Sequence, residues 1–288
     1  MTKYSDMIAG CMSWGKWGKQ FSKQEMIAQI QLTLEAGITT FDHADIYGDY
    51  TTEQEFGSAF VQSGIKRESI QLISKCGIQL VGKTRKTKTK HYNTSKEYVV
   101  WSVEQSLKNL QTDYLDLLLI HRPSPLMDPN EISEAIHTLK KSGKILDFGV
   151  SNFTPSQLLL VENKTPVSVN QIEFSLTQHQ AIYQGTLDQL FVKKIRPMSW
   201  SPLGNYFKEK NKTNERIRKV MEKLTKKYHA TEDQLLLAWI LNHPSRVIPV
   251  LGTTKKNRLE KAVQSLNIKL ELEDWFDLLE KSQGHPVL

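Results

Sequence analysis

Eight short apolar, β-branched runs alternate with helical stretches along 288 residues, and no GxGxxG turn follows the first of them. This alternation predicts an α/β protein folded as one (β/α)8 TIM barrel, a single domain over residues 1–288. Such a barrel needs roughly 250 residues, so it would use nearly the whole chain. An open doubly wound sheet has fewer strands and usually a glycine-rich first turn, and it fits less well. The runs are IAGCMSW (8–14), ITTFDHA (38–44), IQLISKC (70–76), LDLLLIH (115–121), ILDFGVS (145–151), SVNQIEFS (168–175), RPMSWS (196–201) and VIPVLGT (247–253).

The helices between them announce their starts. Ser22 and Glu25 have capping-box spacing, in which each side chain satisfies the other residue's free N–H, and Gly37 ends that helix. Asp128–Pro129 and Thr154–Pro155 each place a cap oxygen before a proline whose missing N–H is harmless at the first helical position. Thr231 with Gln234 repeats the capping box before EDQLLLAWILNH, and LEDWFDLLEKS reads as a closing helix outside the count. The weakly patterned stretches 78–95 and 202–214 read as long loops at the mouth of the barrel, and no linker or domain boundary is evident.

An apolar fraction of 39% and a charged fraction of 24% describe a globular chain. No run approaches the roughly 20 apolar residues that cross a bilayer, and the start lacks the build of a signal peptide, so the cytoplasm is the expected compartment and no membrane partner is expected. Cys11 and Cys76 have no ligand or disulfide spacing, and no metal is expected. A net charge of +7 would favour anions. Its densest stretch, KTRKTKTKHYNTSK (83–96), has no period and one aromatic, so it reads as a solvated loop with no nucleic-acid role. Nothing marks an oligomer interface, and a monomer is the default.

Barrel enzymes place their chemistry where strands end. There the second run offers Asp42 and leads to Tyr47, the third offers Lys75 and the fourth His121. Hydride addition to a carbonyl puts negative charge on its oxygen, which must be stabilised and protonated. A tyrosine can supply the proton, with an ammonium beside it to lower its pKa, a carboxylate to hold that ammonium, and an imidazole to fix the carbonyl oxygen. Taken singly, each of these residues has a structural alternative in capping or packing. Together on neighbouring strands they make one site.

The segments FDHADIYG (41–48), LISKCG (72–77), DLLLIHRP (116–123), GVSNF (149–153), NQIEFS (170–175) and SWSPLG (199–204) resemble the aldo-keto reductases, and the wording HADIYG, SKCGI and HRPSPLMDP is most similar to the bacterial general aldo-keto oxidoreductases. The resemblance spans nearly the whole chain. It implies the barrel, a tetrad of Asp42, Tyr47, Lys75 and His121, and 4-pro-R hydride delivery from NADPH, with NADH also possible. It further implies that Ser151, Asn152 and Gln171 bind the nicotinamide carboxamide, that Trp200 stacks on the ring, and that Ser201 and Leu203 line the pyrophosphate path.

After the eighth run, GTTKKNRLEKAV enters a helix, and barrels bind phosphate near there. Lys255, Lys256 and Arg258 fall in or near its first turn, where the helix dipole disfavours cations unless an anion is bound. Arg258 is the first candidate for the 2′-phosphate, because a guanidinium grips phosphate in two places, and Lys255 the second, with exposed charges on long stems as the alternative; Gly252 and Thr253 of the same turn are candidate cofactor contacts. The family often follows this arginine with Glu-Asn, where this chain has LEKA, which leaves the adenine contacts open. Trp14 and Trp17 are candidates for the wall of the substrate pocket, with core packing as the alternative. The activity expected is reduction of an aldehyde or ketone to an alcohol, with Tyr47 as general acid. Two competitors are a cofactor-binding sensor with little turnover and an aldolase using Lys75 as a Schiff-base nucleophile.

Overall fold

The computed structural model describes residues 3–82 and 84–287. In chain order its elements are β1 (Ile8–Gly10), α1 (Lys23–Glu35), β2 (Thr40–Asp42), the single turn α2 (Tyr47–Tyr50), α3 (Thr52–Ser63), β3 (Gln71–Cys76), the short β4 (Ile78–Gln79) and β5 (His91–Tyr92), α4 (Lys96–Leu110), β6 (Leu117–Ile120), α5 (Pro129–Lys141), β7 (Phe148–Ser151), α6 (Pro155–Glu162) and β8 (Val169–Glu173). There follow α7 (Gln180–Tyr183), α8 (Thr186–Val192), β9 (Arg196–Trp200), α9 (Lys212–Lys227), α10 (Glu232–Leu241), β10 (Ile248–Leu251), α11 (Lys256–Gln264) and α12 (Leu272–Gln283). Eight of the strands close a parallel barrel in the order β1-β10-β9-β8-β7-β6-β3-β2, each inside one of the eight predicted runs. Among the described residues no helix is long and apolar enough to cross a membrane.

By compactness the chain divides into one unit up to Gln171 and another from Ile172. In the first, Cys76 pairs with Ile120, so β3 and β6 end together, while β2 ends at Asp42 opposite Ile73 and the chain after it runs on beside Lys75, whose carbonyl accepts the Asp45 N–H at 3.0 Å. The strands are short and almost wholly buried, as expected of parallel strands covered by helices. Ser22 caps α1 through the expected box: its N–H donates to Glu25 Oε2 at 2.9 Å, and the Glu25 N–H reaches Ser22 Oγ at 3.4 Å. Asp128 and Thr154 cap α5 and α6 ahead of their prolines. α3 lies so close to α4 that a Cβ on Gly57 would fall 2.2 Å from the Asn109 carbonyl oxygen, which is why a glycine stands in mid-helix.

In the second unit, α12 packs on α9 and on α10. Trp239 and Trp275 stack with centroids 4.8 Å apart, and each indole N–H donates to the other's backbone carbonyl, at 3.1 and 2.9 Å. Buried Trp239 and half-buried Trp275 thus satisfy each other's donors.

Two expected loops differ. The stretch 78–95 holds an antiparallel hairpin pairing Ile78 with Tyr92 and Gln79 with His91, and the loop after β9 ends at Asn211, whose side chain caps α9. Strands of two residues are too short to show a period. Lys83 of the basic stretch lies outside the described residues; Arg85, expected in solvent, is largely covered, with its side chain 17% exposed.

Candidate active site

Asp42 closes β2, Lys75 is the penultimate residue of β3, His121 directly follows β6, and Tyr47 opens α2. The structure brings the four together. Lys75 is 1% exposed and its ammonium donates to Asp42 Oδ2 at 2.7 Å, to the His43 carbonyl at 2.8 Å and to Tyr47 Oη at 3.1 Å. An ammonium has three N–H groups, and all are used. Tyr47 Oη therefore accepts from Lys75, which leaves its own proton free to point elsewhere. The His121 ring stands edge-on to Tyr47 with centroids 6.1 Å apart.

The electrostatics correct one expectation. Lys75 does pull the Tyr47 pKa down, but burial pushes it up by more, and Asp42 adds to the rise, so the phenol lies above its ordinary 10.0. Burial alone would lower Lys75, yet Asp42 and Tyr47 outweigh it and hold the ammonium above 10.5. Burial and then the positive field of Lys75, Arg122 and Lys90 drive His121 well below 6.5, so its imidazole is neutral. His43, next to Asp42 but with its ring against Phe56 at 4.4 Å, is pushed down to about 3 by burial and Lys75.

Gln171 joins the cluster in a way its sequence position does not reveal: its amide donates to Asp42 Oδ1 at 3.0 Å, so both Asp42 oxygens are engaged. Ser151 Oγ donates to the Gln171 carbonyl at 2.9 Å and accepts from the Asn152 amide at 2.8 Å. Asn152 has a φ of 62°, a left-handed conformation uncommon outside glycine and a mark of a constrained strand end. Ser151, Asn152 and Gln171 thus form one polar group at the paired ends of β7 and β8.

The two tryptophans part company. Trp14 is 1% exposed and packs against Phe21, Phe41 and Phe56, so it takes the core alternative and not the pocket wall. Trp17 is 44% exposed with its ring 6.2 Å from that of Tyr47.

In the second unit, Trp200 is half-buried at the end of β9, Ser201 follows with a φ of 51°, and its carbonyl accepts the Gly204 N–H at 2.7 Å to close the turn that carries Leu203. Gly252 and Thr253 leave β10. Thr253 Oγ1 accepts the Lys255 N–H at 3.3 Å, and α11 starts with no side-chain cap. Lys255 is its N-cap residue and Arg258 lies in its first turn, both exposed. An uncapped helix start without acidic residues and with cations suits an anion.

The chain belongs to the aldo/keto reductase family, whose model matches residues 6–282. It is 42% identical over 291 residues to the uncharacterized oxidoreductase YcsN of Bacillus subtilis (strain 168), covering 99% of this chain and 96% of that one. It is 36% identical over 263 residues to a 6-dehydroglucose reductase of Agrobacterium fabrum (strain C58), covering 90% and 88%. The crystal structure of an aldo-keto reductase from Klebsiella pneumoniae in complex with NADPH shares the fold, with a TM-score of 0.79 over 98% of this chain and 92% of that one at 23% identity.

Proposed function

We propose that this protein reduces an aldehyde or ketone to the alcohol with NADPH, Tyr47 acting as general acid. The observation that carries the reading is the Lys75 ammonium with all three N–H groups spent on Asp42, His43 and Tyr47. When bound, the cofactor supplies a hydride to the carbonyl carbon. Ser151, Asn152 and Gln171 would hold its carboxamide, Trp200 its ring, Ser201, Leu203, Gly252 and Thr253 its pyrophosphate, and Lys255 and Arg258 its 2′-phosphate; the uncapped cationic start of α11 fits that last group.

The protein's own steps follow from its charges. Neutral His121 donates an N–H to the substrate oxygen and fixes it near Tyr47. As negative charge develops there, Tyr47 gives up its proton, and the phenolate left behind is stabilised by Lys75. A raised phenol pKa is no obstacle, because the alkoxide formed is a far stronger base than a phenolate. Trp17 walls the approach to Tyr47.

The aldolase alternative needs a neutral lysine, whereas Lys75 is held charged above its ordinary value. We take the whole chain as one functional domain, acting as a monomer on a small carbonyl compound in the cytoplasm, where its two buried cysteines stay free thiols. NADPH oxidation with aromatic aldehydes and 6-dehydroglucose tests the function. Turnover lost in Tyr47→Phe, by about 10²–10⁴-fold, is the expected result. Tight NADPH binding without turnover across a broad panel of carbonyls would favour a sensor, and borohydride trapping of substrate on Lys75 would favour the aldolase.

A further inference from the structure

The turn that carries Tyr47 is strained. Gly48, Asp49 and Tyr50 follow it with φ values of 61°, 59° and 69°, three left-handed residues in succession of which only the first is glycine. Such backbone persists only where the surroundings hold it.

What holds it here is the β4–β5 hairpin. Leu80 N–H donates to Tyr50 Oη at 3.1 Å, and Thr84 Oγ1 donates to Asp49 Oδ2 at 3.2 Å. The centre of this grip is Arg85. Its guanidinium lies 3.8 Å from the Tyr50 ring centroid and 4.9 Å from that of Trp101. Its Nη1 donates to Tyr98 Oη at 2.6 Å and stands 3.5 Å from Asp45 Oδ2, an oxygen that also accepts from Tyr98 and Ser102. Asp45 is buried, and its backbone N–H is tied to the Lys75 carbonyl at 3.0 Å. One side chain thus touches the residue two before Tyr47 and the residue three after it. A planar guanidinium can stack on rings while donating from its edge, which an ammonium cannot.

We propose that Arg85 is a positioning residue for Tyr47: by gripping Asp45 and Tyr50 together it holds the turn 45–50 in its left-handed path and keeps the phenol against Lys75. The kinetic arm of this proposal rests on the carbonyl-reductase reading; the structural arm does not. Arg85 differs in this from Lys86, Lys88 and Lys90 of the same basic stretch, which stand exposed while its own side chain is largely covered.

The test uses full-length Arg85→Ala and Arg85→Lys, with NADPH oxidation, NADPH affinity, the thermal midpoint and deuterium uptake of the peptide spanning residues 44–52. In Arg85→Ala, kcat is expected to fall about ten- to a hundredfold, the scale set by a misplacement of about an ångström. NADPH affinity stays unchanged, and uptake in 44–52 rises. Millimolar guanidinium should restore part of kcat to Arg85→Ala but none to Tyr47→Phe, and Arg85→Lys should restore less than guanidinium does. Unchanged kcat and unchanged uptake in 44–52 would overturn the proposal. So would a loss of kcat that tracks only the folded fraction, with no rescue by guanidinium. If Arg85→Ala does not fold, Arg85→Lys carries the same comparison. Should the wild type reduce no carbonyl, the functional reading fails while the uptake of 44–52 still decides the positioning role.

Discussion

Two sets of cations in this molecule are treated in opposite ways. Lys75 is buried at the end of β3 with each N–H given to a partner inside the protein, whereas Lys255 and Arg258 stand exposed at an uncapped helix start with no carboxylate in its first turn. A buried charge must be paired from within or it is destabilising, so the first site is complete before any ligand arrives. An exposed cation at a helix start is opposed by the dipole and has no such need, so the second, as the phosphate site proposed above, would be finished only by an anion from outside. The first should therefore govern both stability and chemistry, and the second only affinity.

The sharpest way to break this contrast is Lys75→Met. It leaves Asp42 buried with only the Gln171 amide as a side-chain partner, and losing one member of a buried pair destabilises by about 3–5 kcal/mol. It also removes the charge that stabilises the phenolate, so kcat should fall about 10²–10⁴-fold. Urea unfolding and steady-state kinetics measure the two effects. A variant that loses activity but keeps full stability would show that the ion pair is not the keystone of the cluster.

A smaller effect is expected at α11. Arg258→Ala and, more weakly, Lys255→Ala should reduce NADPH affinity by about ten- to a hundredfold, the scale of one lost charge-assisted hydrogen bond of roughly 1.5–3 kcal/mol. NADH affinity, kcat and the unfolding midpoint should barely move, since surface changes of this kind usually shift stability by no more than about 0.5 kcal/mol. Fluorescence titration with both dinucleotides makes the comparison. Equal losses for NADPH and NADH would remove the 2′-phosphate from the assignment.

The contrast also explains what could be read in advance. The eight runs, the caps at Ser22, Asp128 and Thr154, and the gathering of Asp42, Tyr47, Lys75 and His121 follow from local chemistry and from the rule that parallel strands end together. The bond from Gln171 to Asp42 joins residues 129 positions apart, and no local pattern encodes it. The left-handed Ser201 is likewise invisible, because serine rarely takes that conformation, whereas Asn152 is of a type that enters it more readily. Arg85 was hidden differently: its neighbours are lysines and threonines, so composition described a solvated stretch while stacking on Tyr50 and Trp101 decided its place. The sign of the Tyr47 shift was missed for a related reason. A sequence shows that a lysine is near but not how deeply the phenol is buried, and burial is the larger effect here.

That sign leads to the mildest prediction, a flat pH profile. In the mechanism proposed above, reduction needs Tyr47 protonated, Lys75 charged and His121 neutral. Tyr47 and Lys75 both lie above their ordinary 10.0 and 10.5, so on the alkaline side neither requirement fails until the pH passes about 10. His121 lies well below 6.5, so on the acid side it stays neutral until the pH is far lower than where a solvated imidazole would charge. Between these limits kcat/KM for reduction should not change, whereas alcohol oxidation, which needs the phenolate, should keep rising toward high pH. An inflection near 6.5 in the reduction profile that vanishes in His121→Asn would mean that the imidazole titrates as if in water, and the neutral donor role would fall with it.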